Sequence, residues 1–72
     1  MKKYVFTKNF IDNEIETFIN EYVGDDKYYK IRPQWITVDN GTMTIAMKYS
    51  SNFHCRKKLL EENGFTWERK EF

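Results

Sequence analysis

The sequence predicts a two-layer α+β domain, with four antiparallel strands and two helices packed on one face, in the order β-α-β-β-α-β. Three observations predict it. Asn40-Gly41 is a strong two-residue hairpin signal, and an apolar period of three to four residues marks a helix over residues 12–23. Asn63-Gly64 ends a second helix just before a segment of alternating polarity. With 72 residues, the chain is expected to form a single domain, 1–72, whose core contributes on the order of 3–5 kcal/mol net.

Lys2 to Lys8 is short, β-branched and aromatic, and reads as a strand. In the next segment Ile11, Ile15, Phe18, Ile19, Tyr22 and Val23 stack on one helical face. Asn13 with Glu16 has capping-box spacing, and Gly24 supplies a stop. Placing Asn40-Gly41 in a type I′ turn pairs Val38 with Met43, Thr37 with Thr44, Ile36 with Ile45 and Trp35 with Ala46. Ile36, Val38, Met43 and Ile45 then share one face, and the threonines the other, so register and hydrophobic pattern agree. Ser51 or Asn52 caps a second helix running to about Glu62, with Leu59, Leu60, Phe53 and Cys55 facing inward. Phe65 to Phe72 places Phe65 and Trp67 on one side and Thr66, Glu68 and Lys70 on the other.

This is the ferredoxin-like arrangement, whose usual strand order is 4-1-3-2. Pro33 is tolerated beside the second strand only if that strand is an edge. Glu68, Arg69, Lys70 and Glu71 put charges on the fourth strand, the opposite edge, where they discourage edge-to-edge pairing. A meander with differently packed helices uses the same elements. The parity of the first strand is undetermined: either Tyr4 and Phe6 or Val5 and Thr7 face the helices.

Composition narrows the chemistry. Cys55 is the sole cysteine and His54 the sole histidine, which excludes an intrachain disulfide and a Cys/His metal cluster. No cofactor and no metal are expected. A lone thiol fits a reducing compartment, so a cytoplasmic location is expected. No apolar run approaches the roughly 20 residues of a membrane span, and Tyr4-Val5-Phe6 is too short for a signal-peptide core. The net charge of +1 hides an asymmetry. Residues 9–26 hold Asp12, Glu14, Glu16, Glu21, Asp25 and Asp26 without a base. Residues 27–58 hold seven bases against Asp39.

Adjacent residues of a helix point about 100° apart, so His54 and Cys55 do not form a nucleophile pair, and no third group orients them. No enzyme is expected. Glu14, Glu16, Glu21 and Asp25 are expected to share the solvated face of the first helix opposite the isoleucines, a face without lysine that could dock on a basic protein or imitate nucleic-acid phosphates. Trp35, with Lys48 beside it, is placed on the sheet face away from the helices, where related sheets stack bases. Arg56 and Lys57 (with Lys58) could contact phosphates. The third strand lacks the Gly/aromatic pattern of an RNA-recognition motif, and a near-neutral chain is a poor nonspecific DNA binder.

Leu59 to Trp67 resembles the helix–Gly–Phe–x–Trp–strand ending of many small phage and mobile-element domains; these nine residues are a structural device and imply no activity. The expected function is a non-enzymatic protein–protein interaction module, a small phage-type regulator or inhibitor with an unidentified protein partner. The alternative is single-stranded nucleic-acid binding through the open sheet face. Two edge strands on a small core also admit a homodimer.

Overall fold

The structure, a computed structural model, describes residues 2–11 and 13–71. It comprises β1 (Lys2–Asn9), α1 (Glu14–Tyr22), a 3₁₀ turn (Pro33–Trp35), β2 (Ile36–Asp39), β3 (Thr42–Met47), α2 (Phe53–Glu62) and β4 (Thr66–Glu71). The antiparallel sheet is ordered β2-β3-β1-β4, which makes the domain a ferredoxin-like α+β sandwich. Both edges are the strands anticipated, β2 following Pro33 and β4 carrying the charges.

The hairpin forms as its turn residues demand. Asn40 and Gly41 both take positive φ, 50° and 79°, as a type I′ turn requires. Ile36 pairs with Ile45, Thr37 with Thr44 and Val38 with Met43. The Gly41 carbonyl also accepts the Phe10 amide at 2.8 Å, tying the turn to the end of β1. The expected Trp35–Ala46 pair does not form. Trp35 closes the 3₁₀ turn, its amide donating to the Arg32 carbonyl, because Pro33 presets helical φ at the first position of that turn.

β1 lies between two partners, and they settle its parity. Tyr4 pairs with Met47, Phe6 with Ile45 and Lys8 with Met43. All three of those β3 residues are buried, so Tyr4 and Phe6 face the helices. The opposite face presents Lys3, Val5, Thr7 and Asn9. Across it Thr66, Thr7, Thr44 and Thr37 stand in one row through all four strands. Among the described residues the strands put no aromatic ring on that face.

Two aromatic clusters fill the space between the layers. Under α2, the Phe53 ring lies 4.5 Å from Tyr4 and 6.3 Å from Phe6. Under α1, Phe18 lies 5.7 Å from Phe10, 5.4 Å from Phe65 and 5.1 Å from Tyr22. These ring separations suit tilted aromatic pairs.

α2 ends as its sequence implies. Gly64 has φ 89°; its amide donates to the Glu61 carbonyl and that of Phe65 to the Leu60 carbonyl, both at 3.0 Å. This is the Schellman arrangement, and the buried Phe65 and Leu60 join the core beside it. Its start differs from expectation, since Asn52 stands at the cap without a side-chain bond.

Further expectations need correcting. The anticipated helix start at Asp12 lies outside the described residues, as does Phe72. Asn13 has helical φ/ψ and its side chain bonds no helix amide, so the capping box is not made; a cap residue needs non-helical backbone to turn its side chain onto the first turn. Gly24 does not stop α1. Val23 turns extended and pairs in parallel with Ile31, and positive φ at Gly24 is not needed. Ile11 precedes the helix and stays exposed; Ile19, about 100° round from Phe18, is also exposed. Cys55 is exposed rather than inward. It lies about 200° round the helix from Phe53, and Arg56, on the Phe53–Leu60 side, is buried instead.

Candidate functional site: a groove beside the first helix

The α1 sequence places Glu14, Thr17, Phe18 and Glu21 at steps of three and four, on one side of the helix. Phe18 turns into the core, and the two carboxylates stand at the border of the same face. Here they flank a surface groove of about 300 Å³. Phe10, Phe18 and Tyr22 contribute aromatic surface, and Glu14, Thr17 and Glu21 form one wall. Lys8 and Asn63 form the other. By helical rise Glu14 and Glu21 are about 10 Å apart along the wall. Glu16, roughly 200° round from Glu14, does not line the groove, and Asp25 lies beyond the helix, paired with Arg32 at 3.1 Å.

The charges in the groove are unequal in their commitments. Lys8 donates from Nζ to the Asn63 carbonyl at 2.6 Å and lies 4.6 Å from the Phe10 ring centroid. It therefore neutralises the carbonyl end of α2. Glu14 and Glu21 form no ion pair with any described residue. For Glu14, in the first turn, the helix dipole is a sufficient explanation. Glu21 stands in the last turn, where the dipole disfavours an acid, and no base accompanies it there.

The predicted basic cluster is dispersed. Arg56 turns inward, with Nε donating to the Lys30 carbonyl at 2.9 Å and its guanidinium carbon 5.0 Å from the Trp35 ring centroid. Lys57 bonds Glu61 at 3.2 Å and lies 5.2 Å from the Trp67 ring. Lys58 is exposed. Trp35 is half-buried and packs against the core. It does border a hollow of about 250 Å³ with Lys3, Ala46, Lys48 and Ser50; Lys48 and Trp35 are thus brought together as anticipated.

His54 shares a hydrogen bond of 3.3 Å with the Tyr49 hydroxyl. Among the described residues no three His, Cys, Asp or Glu side chains are placed to hold a metal ion, and no helix is long and apolar enough to cross a membrane.

Glu61 supplies a pH-dependent contact. Its carboxylate accepts from Lys57 and from the Trp67 indole at 3.2 Å each, and those two bonds, Lys57 first, hold its pKa below the usual 4.5. Because the folded pKa lies below the unfolded one, the stabilisation is fully present above the unfolded value and is lost as pH falls through the folded one. The melting temperature is therefore expected to drop on acidification below about pH 4.5, and Glu61→Gln should flatten part of that drop. An unchanged acid limb in Glu61→Gln would show that this contact adds nothing to the folded state.

Helical spacing shows that Glu14 and Glu21 share a side with Phe18. Lys8, Phe10 and Asn63 belong to the groove only because β1 and the end of α2 meet, a juxtaposition with no local signal. Compared with protein-family models, curated proteins and solved structures, the chain matches none.

Proposed function

We propose that this chain is a non-enzymatic protein–protein interaction module that receives a basic segment of its partner in the groove beside α1. The observation that carries the reading is the pair of uncommitted carboxylates, Glu14 and Glu21, standing along an aromatic-lined groove. A lysine or arginine there would meet a carboxylate and an aromatic ring together, the combination that attracts cations most strongly. Two cations about 10 Å apart, seven residues along a helix or three along an extended chain, would reach both acids. The role proposed for such a module is that of a small regulator or inhibitor, of phage or mobile-element type. Nucleic-acid binding through the open face has less support, since Tyr4 and Phe6 pack under α2 and the sheet offers no row of rings.

The test is titration of ¹⁵N-labelled protein with a lysine- and arginine-rich peptide at low and physiological salt. Amide shifts should concentrate at Glu14, Thr17, Glu21 and Asn63, and weaken with salt. Glu14→Lys/Glu21→Lys should weaken binding at least tenfold, whereas Glu68→Lys on the open face should not. Shifts confined to the open face, or equal binding by both variants, would refute the reading.

A further inference from the structure

Arg56 is the one charged side chain among the described residues that is buried, at 4% exposure. Burying a guanidinium is costly unless its charge and its five N–H donors find partners, and the usual partner is a carboxylate. None touches Arg56 among the described residues. Its Nε is satisfied by the Lys30 carbonyl, and its π-electron neighbour is Trp35, 5.0 Å away. Arg32, of the same sign, is the stronger of the two groups bearing on the charge of Arg56; burial first and Arg32 second pull its pKa below the usual arginine value, with Cys55 opposing them. Arg32 is held nearby because its carbonyl takes the Trp35 amide at 3.0 Å. Asp25 occupies one Arg32 nitrogen.

Among the described residues the two terminal nitrogens of Arg56 have no acceptor, yet no enclosed side-chain nitrogen lacks a bond. Neither terminal nitrogen is therefore fully sealed from solvent. The result is a forked donor, fixed by a carbonyl on one nitrogen and a ring beside it, with the rest of its hydrogen-bonding capacity unused.

We propose that the outward prong of Arg56, with Arg32 beside it, is a binding site for one terminal oxyanion, a carboxylate or a phosphate group. The planar fork donates to either in two-pronged fashion. At 4% exposure Arg56 can be approached at most by a small group at the end of a ligand, such as inorganic phosphate or a chain-end carboxylate, and not by a phosphodiester flanked on both sides. The site is independent of the α1 groove, and either can fail without the other.

Titration of the full chain with inorganic phosphate, and separately with acetate, at ionic strength held constant with chloride, tests it. The Arg56 Nε–H and Trp35 indole N–H resonances should shift saturably. Arg56→Lys keeps the charge but loses the fork, and should weaken binding at least tenfold. Arg32→Gln, altering an exposed-side neighbour, should weaken it severalfold and serves if Arg56→Lys does not fold. Saturation by phosphate alone assigns a phosphate ligand, and by acetate as well assigns any terminal oxyanion, a partner's carboxylate included. No saturable shift with either anion, or affinity unchanged in whichever variants fold, would reduce Arg56 to a structural tie between α2 and the Lys30 backbone.

Discussion

Phe6→Ala is expected to leave the chain largely unfolded at 25 °C. Phe6 is fully buried on a central strand of the sheet, with its ring 6.3 Å from Phe53 and 5.9 Å from Trp67. Truncating a buried phenylalanine costs about 3–5 kcal/mol through lost transfer energy and the cavity left behind. A domain of this size has roughly that much stability in total, so one side chain decides whether it folds. Phe6→Leu fills most of the volume and should lose far less, on the order of 1–2 kcal/mol. Urea unfolding followed by circular dichroism separates the two. A Phe6→Ala chain that still unfolds cooperatively, within about 1 kcal/mol of the parent, would show that the core does not depend on this ring.

Ile31→Ala is the second large effect, expected at about 2–5 kcal/mol. Ile31 lies outside the helices and the four-stranded sheet, yet is fully buried. Its amide donates to the Tyr22 carbonyl at 2.8 Å and its carbonyl accepts from Gly24 at 3.0 Å, closing residues 24–30 into a loop at the end of α1. The side chain anchors that loop in the core, so its loss should also speed hydrogen exchange at the Gly24 and Ile31 amides ahead of the sheet amides. Tyr28→Ala, in the same loop but 61% exposed, should change stability by no more than about 0.5 kcal/mol. If Ile31→Ala costs no more than Tyr28→Ala, the loop is not held by that side chain.

The candidate sites divide in how far the residues announce them. Helical spacing is a local rule, so the shared side of Glu14 and Glu21 follows from their separation of seven positions. The same rule places Arg56 with Phe53 and Leu60, but an arginine at a core position is read as surface because burial of a charge is unfavourable without knowledge of its neighbours. Here Trp35 and the Lys30 carbonyl make that burial tolerable, and neither is near Arg56 in sequence. Trp35 shows the converse. The alternation read back from the hairpin continues one residue too far, because Pro33 substitutes a 3₁₀ turn for the start of the strand.

What the sequence by itself determined is the order of elements, the hairpin register and the end of α2. Each rests on chemistry within a few residues: Asn40 and Gly41 accept positive φ, and Gly64 accepts it where α2 must turn. Tertiary structure alone decided which side of β1 is inside, since Tyr4, Val5 and Phe6 are apolar on both parities and only pairing with Met47 and Ile45 favours one. It also decided the burial of Ile31 and Arg56 and the walls of the groove. Those outcomes depend on contacts between residues far apart in the chain, whose energies exist only once the layers have closed on each other.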